Sequence, residues 1–507
     1  MPDDRDRPMR PDPPGWVRDA VFYQVFPDRF ASSQRVRKPG ALEPWSDPPT
    51  FDGYKGGDLL GLAERLDDLV ELGITAIYLN PIFKAASNHR YNAYDYLEVD
   101  PLLGGDAALG ELLDAAHARS IRVVLDGVFN HSGRGFWPFH HVLEAGGASP
   151  YRDWFYLDPD ILSHRRGLGA YDDGREAGGT HPPKLGYRMW WDVPSLPKLR
   201  VENPEVREYL FGVAEHWIRF GADGWRLDVP EEIEDPTFWP EFRDRVRAVN
   251  PEAYLLGEIW EEAPEWLRGD RFDAVMNYPL TLAILGFVGG DRLDMGVIAG
   301  QANYRRGLVA LDGPAFGAQL EHLMTLYEPD VTAVQFNLLG SHDTPRARTV
   351  MGGDPARLRL ASLLLLTLPG APSIYYGDEL AMEGGADPDC RRGYPLEGAA
   401  VDAAAAETRA LVRASIALRR QYVQLRRGTV RVVSHDHAVA ILREADGRRA
   451  VVAVNAGYET AILDLTDLGG EQGLAPVALP GIAGGSIDVD RNAVRLEPMS
   501  ALVLVDA

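Results

Sequence analysis

A cation and a carboxylate stand two residues apart inside a short apolar stretch, GWRLDV (224–229), as Arg226 and Asp228. Side chains at this spacing on a strand point to the same side, so the two charges would share one face. A guanidinium this close lowers the pKa of the carboxyl group, keeps it ionised as a nucleophile must be, and repels a metal ion. The pair therefore predicts a carboxylate that takes part in covalent chemistry.

Further polar residues follow other apolar stretches of the same kind. They are Asp126, Asn130 and His131 after one stretch, Glu258 after a second, and His342, Asp343 and Arg346 after a third. A lone carboxylate in such a position is commonly a helix cap or a turn former. Several stretches that end alike favour one shared site where their ends meet.

Two chemistries use several carboxylates at one site. A divalent-metal enzyme holds Mg²⁺ with its acids and removes a proton next to a carbonyl. A glycoside hydrolase uses one carboxylate to attack the anomeric carbon and a second to protonate the leaving oxygen, and Arg226 favours this reading. Aromatic side chains in nearby segments would offer flat apolar faces to sugar rings, or belong to the core; they are Tyr91, Tyr94, Trp190, Trp191, Trp225 and Trp260.

Eight short apolar runs alternate with stretches of helical periodicity. The runs span residues 20–25, 74–81, 121–128, 224–229, 254–259, 274–277, 333–339 and 373–379, and helical stretches include 59–73, 107–120 and 204–221. This pattern predicts an α/β fold, a (β/α)8 TIM barrel, because its strands are covered on both sides and its active site forms at their C-terminal ends. An open doubly wound sheet is the alternative, but VFPDRFASS after the first run contains no Gly-rich phosphate loop.

The chain divides into four regions by composition. Residues 1–15 are charged and Pro-rich and predict a disordered leader, and residues 16–426 form the barrel. Residues 132–197, rich in Gly, Pro and aromatic residues, predict an inserted subdomain after the third strand, because long irregular insertions in compact domains are usually functional. Short alternating strands over residues 427–507 predict a C-terminal β-sandwich.

Charge and cysteine content restrict the possible partners. The formal net charge of -23 argues against nucleic acid and against an anionic membrane surface, since clustered Lys and Arg hold both. Cys390 is the single cysteine, so no intramolecular disulfide forms. The chain shows no signal peptide and no run of about 18 apolar residues. We therefore expect a cytoplasmic protein with a neutral ligand, bound to neither nucleic acid nor membrane.

Four motifs lie at the ends of the third, fourth, fifth and seventh predicted strands: DGVFNH (126–131), GWRLDV (224–229), GEIW (257–260) and LLGSHD (338–343). In type and order they resemble the four signature regions of the α-amylase superfamily, glycoside hydrolase family 13. LPKLR (196–200) resembles the fifth region of the neopullulanase, cyclomaltodextrinase and maltogenic amylase branch. Similarity continues through DPDCRR (387–392) and covers residues 16–425.

The resemblance implies a role for each site residue. Asp228 would be the nucleophile that forms a β-glycosyl-enzyme, Glu258 the general acid and then the general base, and Asp343 the carboxylate that supports the oxocarbenium-like transition state. The implied substrate-binding residues are Tyr91 beneath the sugar, His131 and His342 on its hydroxyls, Arg226 on Asp228, Glu232 and Trp260 on the leaving side, and Arg346. Asp126 and Asn130 are interpreted as structural supports.

The implied activity is retaining hydrolysis of α-1,4 links in maltooligosaccharides, with cyclodextrins, pullulan or starch as further substrates. An exo-acting α-glucosidase and a transglycosylase such as a trehalose synthase are the alternatives within the family. From other classes, a metal-dependent barrel enzyme and a non-catalytic binding protein on the amylase fold remain open.

Two features depart from the family pattern. Relatives in this branch usually begin with an N-terminal β-domain that helps them dimerise; about fifteen residues precede the first predicted strand here, so monomer and homo-oligomer both stay open. Relatives also often hold Ca²⁺ in an acidic loop after FPDRF, whereas this loop reads ASSQRVRKPG and contains no carboxylate. We expect no cofactor and no metal at that loop; Asn130 leaves a weaker case for calcium near the inserted subdomain.

Overall fold

Eight parallel strands form the central sheet of the protein, whose computed structural model describes residues 13–38, 40–159, 185–395 and 402–506. The strands are β1 (Phe22–Val25), β2 (Ala76–Leu79), β5 (Arg122–Gly127), β6 (Gly224–Leu227), β7 (Tyr254–Gly257), β8 (Ala274–Val275), β9 (Phe336–Asn337) and β10 (Ala371–Tyr375). They are ordered β8-β7-β6-β5-β2-β1-β10-β9. A parallel bridge between Met276 and Phe336 joins the two ends, and the predicted TIM barrel is confirmed.

All eight predicted runs overlap a strand, and the last one differs most in its bounds. β10 begins at Ala371, two residues before the predicted run, and ends at Tyr375, four residues before the end of that run. Gly377, with φ of 86°, takes the left-handed conformation that suits glycine, and Asp378–Leu380 follow as a 3-10 turn. The polar end of the run therefore lies in a turn above the barrel.

Helices surround the barrel and mostly begin at capped or proline-containing first turns. They are Pro27–Phe30, Leu59–Glu64, Leu66–Leu72, Gly105–Ala118, Trp137–Ala145, Pro204–Phe220, Phe238–Val249, Tyr278–Gly289, Met295–Gly300, Ala302–Gly307, Gly313–Thr325, Pro329–Thr332, Ala347–Val350, Pro355–Thr367, Ala403–Gln421 and Val423–Arg427. The predicted helix over 59–73 is interrupted at Arg65, while the predicted helices over 107–120 and 204–221 each correspond to one continuous helix.

Strand alternation places the charged pair inside the barrel. Trp225 and Leu227 point outward into the layer between strands and helices, as part of one large apolar cluster. Arg226 points inward, where its guanidinium carbon lies 5.9 Å from the ring centre of Tyr78 on β2. The predicted aromatic Trp225 is thus core, whereas Arg226 and Asp228 share the inner face.

Two further segments stand above the C-terminal ends of the strands. A hairpin after β2, made of β3 (Phe83–Ala85) and β4 (Ala93–Val99), holds residues 86–92 in its connection. After β5, antiparallel bridges such as His131 to Lys198 and Met189 to Pro197 organise the described parts of the inserted segment. Residues 160–184 of the predicted subdomain lie outside the described residues.

Antiparallel sheets form the C-terminal part of the chain. Their strands are β11 (Thr429–His435), β12 (Ala438–Ala445), β13 (Arg448–Asn455), β14 (Ala461–Asp464), β15 (Leu474–Val477), β16 (Gly485–Asp488), β17 (Ala493–Leu496) and β18 (Ser500–Asp506). A five-stranded sheet, β11-β12-β13-β18-β15, and a three-stranded sheet, β14-β17-β16, share one apolar cluster. The predicted C-terminal β-fold is confirmed, while the exact domain boundaries stay predictions. In the described ranges, we find no helix that is both long and apolar enough to cross a bilayer.

Candidate active site

Asp228 and Glu258 stand side by side because their strands are adjacent and in register. Leu227 on β6 pairs with Gly257 on β7, and each carboxylate residue comes directly after its strand. The N–H of Asp228 donates to Gly127 at 3.0 Å and that of Glu258 donates to Leu227 at 3.0 Å, which extends the ladder by one step. The register of the barrel thus brings the two carboxyl groups to the same level of its opening.

The backbone turns sharply after Asp228. Val229 has φ of 36° and ψ of 53°, a left-handed conformation that a β-branched residue rarely adopts. Its N–H donates to Oε2 of Glu258 at 3.2 Å. Strain of this kind concentrates at functional sites, and here it turns a backbone donor towards the neighbouring carboxylate.

One buried guanidinium joins three carboxyl groups. Nη1 of Arg226 lies 3.0 Å from Oδ1 of Asp228 and 3.0 Å from Oδ1 of Asp126, and Nη2 lies 2.8 Å from Oε1 of Glu258. The Arg226 side chain has no solvent exposure. Because the cation is fixed between the three acids, it sets the separation and orientation of Asp228 and Glu258.

Arg226 lowers the pKa of Asp228, as predicted, but burial and a neighbouring acid outweigh its effect. Burial raises the pKa of Asp228 well above its usual range, and the nearby charge of Glu258 raises it further, so that Arg226 only opposes these two effects. Burial also raises the pKa of Glu258 to about 7, opposed by Arg226 and supported by the charge of Asp343. One cation does not offset the repulsion among several buried acids, so the ionisation of one acid disfavours the ionisation of its neighbours.

Asp343 lies between a histidine and an arginine. Nε2 of His342 is 3.1 Å from Oδ2 of Asp343, and Nη2 of Arg391 is 3.2 Å from Oδ1. The amide of Gln24 donates to Nδ1 of His342 at 3.0 Å, which leaves the ring proton on Nε2. Burial lowers the pKa of His342 well below its usual range, so the ring is a neutral donor.

Tyr91 stacks on His342 with ring centres 5.4 Å apart and planes 5° apart. Its hydroxyl contacts Nε2 of His342 at 2.5 Å and donates to Oδ2 of Asp126 at 2.9 Å. Asp126 also accepts a hydrogen bond of 2.6 Å from Tyr78 and pairs with Arg226. Asp126 therefore positions both Tyr91 and Arg226.

His131 follows β5 and forms a bridge to Lys198. It is buried, and burial lowers its pKa to about 3, so the ring is neutral. Its Nδ1 is 3.3 Å from the amide nitrogen of Asn130, whereas Nε2 has no hydrogen-bond partner among the described residues. The ring of Trp190 covers it at 5.1 Å and 15°. A buried N–H without a partner is a donor that a ligand oxygen would satisfy.

Trp260 and Glu232 occupy different surroundings. Half-buried Trp260 stacks on Tyr278 with ring centres 3.6 Å apart and planes 5° apart. The backbone carbonyl of Glu232 accepts from Nζ of Lys198 at 2.6 Å, and its carboxylate, 3.6 Å from that nitrogen, stays 42% exposed. Both residues follow the strands that carry Asp228 and Glu258, which agrees with their implied place on the leaving side.

Arg346 does not face the opening, and its predicted substrate contact is corrected. The side chain is fully buried, pairs with Asp378 at 2.8 Å and donates to the backbone oxygens of Tyr376 and Cys390. Arg391 contacts Asp343 in its place. Arg391 belongs to the DPDCRR motif (387–392). This polar stretch after β10 is the sequence signal that would have suggested Arg391 as a site residue.

Tyr278 is a second residue that the sequence left unassigned. Its ring supports Trp260, and its hydroxyl lies 3.2 Å from Oγ of Ser341. Burial raises the pKa of Tyr278 well above the usual range, and the charges of Glu258 and Asp343 raise it further. Its signal was weak because Tyr278 follows AVMN (274–277), the shortest predicted strand.

The family of the chain follows from the comparison with known proteins. The family model named Alpha amylase, catalytic domain, matches residues 24–415. The chain belongs to the alpha-amylase family. This match confirms the resemblance on which the site assignment rests, and the protein is a glycoside hydrolase of that family.

The chain is similar to proteins named cyclomaltodextrinase, neopullulanase and debranching enzyme. A cyclomaltodextrinase of Geobacillus thermopakistaniensis (strain MAS1) is 43% identical over 453 residues, which cover 88% of this chain and 70% of the relative. Neopullulanase 2 of Thermoactinomyces vulgaris is 39% identical and covers 90% of this chain and 73% of its own. The solved debranching enzyme of Nostoc punctiforme is 42% identical with a TM-score of 0.85, covering 98% of this chain and all of its own.

The calcium position that the family implies does not fit the residues present. The carboxylate of Asp58 accepts from the N–H groups of Ser33 at 2.9 Å and Gly61 at 2.7 Å and pairs with the ammonium of Lys38. Within the described ranges, no three or more His, Cys, Asp or Glu side chains are arranged to hold a metal ion. The positive charge of Lys38 next to Asp58 disfavours a metal cation at this position.

The raised pKa of Glu258 predicts the pH dependence of this alpha-amylase family enzyme. A general acid works only when protonated, and with a pKa of about 7 Glu258 stays protonated below that pH and loses its proton above it. We expect kcat/KM on maltotriose to fall above about pH 7. With α-maltosyl fluoride, whose leaving group needs no proton from the enzyme, kcat/KM should hold. A basic limb near the ordinary pKa of a glutamate would contradict this.

Proposed function

We propose that this protein hydrolyses α-1,4-glucosidic bonds of maltooligosaccharides with net retention of anomeric configuration. The observation that carries the proposal is the placement of Asp228 and Glu258 in register on adjacent strands, bridged by one buried guanidinium. Retaining glycosidases need two carboxyl groups about 5 to 5.5 Å apart, a separation that neighbouring barrel strands supply.

In the first step, Oδ of Asp228 attacks C1 of the sugar, and the bond from C1 to the glycosidic oxygen breaks. The electron pair of that bond goes to the leaving oxygen, which takes the proton of Glu258. His342, held by Gln24, supports Asp343 and the sugar as a neutral hydrogen-bond donor. Tyr91, held by Asp126, supports the sugar with its ring. The products of this step are a β-glycosyl ester of Asp228 and a shortened sugar.

In the second step, water attacks C1 and gives its proton to the carboxylate of Glu258. The ester bond to Asp228 breaks, and the carboxylate is restored. Glu258 therefore donates a proton in one step and accepts it in the next. A pKa of about 7 suits both roles near neutral pH.

The substrate class is inferred from the relatives. Two of them carry the names cyclomaltodextrinase and neopullulanase, which supports α-glucans, including cyclodextrins and pullulan, for this chain. An exo-acting α-glucosidase and a trehalose-synthase-like transglycosylase would use the same carboxylates. Analysis of the reaction products distinguishes these two activities from the proposed one. A cytoplasmic location remains part of the proposal, supported by the single cysteine.

A product analysis tests the proposed function. The enzyme and its Asp228→Asn variant would be incubated with maltotriose, β-cyclodextrin, pullulan and trehalose, each with and without a chelator. We expect the wild type to cleave maltotriose and β-cyclodextrin, to leave trehalose intact, and to be unaffected by the chelator. Interconversion of maltose and trehalose would indicate the transglycosylase, and loss of activity with the chelator would indicate a metal-dependent enzyme.

A further inference from the structure

Three aromatic rings form a parallel column that leads from the site to the surface. The ring of Trp190 lies 5.1 Å from that of His131 with planes 15° apart, and Trp191 lies 5.1 Å from Trp190 with planes 6° apart. His131 is buried, whereas Trp191 is 76% exposed, more than any other large apolar residue in the described ranges. One face of Trp191 therefore packs on the column and the other meets solvent.

The exposure of Trp191 is built into the backbone. Trp191 and Asp192 have φ values of 50° and 56°, a left-handed conformation that is costly for residues other than glycine. Hydrogen bonds fix the surrounding turn: Trp190 N–H donates to Leu196 at 3.0 Å, and Val193 N–H donates to Trp190 at 2.9 Å. A strained, well-bonded turn that holds a tryptophan in solvent favours a binding role over packing.

One buried donor next to Trp191 lacks a partner. Nε1 of Trp190 has no hydrogen-bond acceptor among the described residues. Leaving a buried N–H unpaired costs about 1 to 3 kcal/mol, which an acceptor oxygen from a ligand would recover. A flat apolar face beside a free donor matches a glucosyl ring, whose C–H face packs on an aromatic ring while a hydroxyl accepts.

The column lies on the side of the leaving group. Nζ of Lys198, on the segment that pairs with Met189 and His131, donates to the carbonyl of Glu232 at 2.6 Å. A second contact joins the same two segments, since Nη2 of Arg188 lies 3.3 Å from Oε1 of Glu234. These contacts tie the column to the segment after β6, next to the acid that protonates the leaving oxygen. In contrast, Tyr91 lies on the hairpin after β2, and Asp343 lies in the segment after β9.

We propose that Trp191 is a stacking platform for the glucosyl unit on the leaving side of the scissile bond, and for an acceptor sugar in transfer. This assignment rests on the proposed function, because it presupposes an oligosaccharide that crosses the Asp228 and Glu258 pair. Trp191 sets how well that part of the substrate binds and takes no part in bond breaking.

The test compares two substrates that differ in their leaving group. Maltotriose places a sugar on the leaving side, whereas α-maltosyl fluoride places a single atom there. Trp191→Gly removes the ring and suits the left-handed backbone, so its fold should persist. We expect kcat/KM on maltotriose to fall about 10-fold or more in this variant and kcat/KM on α-maltosyl fluoride to stay unchanged. Trp191→Phe, which keeps a ring, should retain most of the activity.

Asp192→Gly is the matched control, since it changes the neighbouring left-handed residue of the same turn and leaves the ring. It should behave as wild type on both substrates. Wild-type kinetics of Trp191→Gly on maltotriose would overturn the assignment, and so would an equal loss on both substrates. A change in mass by sedimentation equilibrium without a kinetic change would instead make Trp191 a contact between copies. If the wild type cleaves neither substrate, the proposed function itself fails.

Discussion

Replacing Asp228 by asparagine is expected to lower kcat on maltotriose by about 10⁴-fold or more, a loss of about 5.4 kcal/mol in transition-state stabilisation. The amide keeps the shape of the carboxylate but does not form the ester with C1. The fold should not suffer, because burial and the charge of Glu258 raise the pKa of Asp228 and already disfavour its charged form. Steady-state kinetics and the melting temperature Tm of one preparation measure both effects, and Tm should stay equal or rise.

Asp67→Asn is the matched control for this variant. It makes the same aspartate-to-asparagine change in the helix Leu66–Leu72, at a side chain that is 81% exposed and lies 2.7 Å from Arg119. We expect activity near that of the wild type. The smaller variant Asp228→Ala leaves room for azide, which should convert α-maltosyl fluoride to the β-azide. Full activity of Asp228→Asn would remove Asp228 as the nucleophile.

Glu258→Gln is expected to separate the two steps of the reaction. On maltotriose, kcat/KM should fall by about 10³-fold, since the leaving oxygen has lost its proton donor. The first step with α-maltosyl fluoride should persist, because fluoride leaves without that proton. The second step then lacks its general base, so a burst of fluoride followed by slow turnover is expected, measured with a fluoride electrode.

The control for Glu258→Gln is Glu262→Gln, which alters a surface carboxylate paired with His322 at 2.9 Å. Its kinetics should match the wild type on both substrates. Azide should accelerate turnover of Glu258→Gln by attacking the accumulated ester, and the product should be the α-azide, with retained configuration. An equal loss on maltotriose and on α-maltosyl fluoride, without a burst, would contradict the acid and base role of Glu258.

The barrel was predictable because its strands are covered on both sides, so that each reads as a short apolar run. The bounds were less predictable where turn residues entered the pattern. SIYYGDE (373–379) looks like a strand to its end, but Gly377 bends the chain, and Pro372, which usually argues against a strand, lies inside β10. The break of the helix at Arg65 left no clear mark in the apolar spacing.

The carboxylates of the site were predictable for a related reason. Asp228 and Glu258 each follow an apolar run, and parallel strands bring their ends together. The direction of the pKa shift of Asp228 was not predictable, because spacing shows the cation but not the burial around it. Spacing also could not distinguish Arg346 from Arg391: one is enclosed by Asp378 and backbone oxygens, and the other reaches Asp343 from a distant segment.

The covalent ester on Asp228 can be detected by the mass of the trapped enzyme. Glu258→Gln would be mixed with α-maltosyl fluoride, quenched in acid during the slow phase, and digested with pepsin for mass spectrometry. We expect the peptide containing Asp228 to gain the mass of one maltosyl unit and its fragment ions to place the unit on Asp228. An unmodified peptide after a fluoride burst, or a maltosyl unit on another residue such as Asp343, would contradict it.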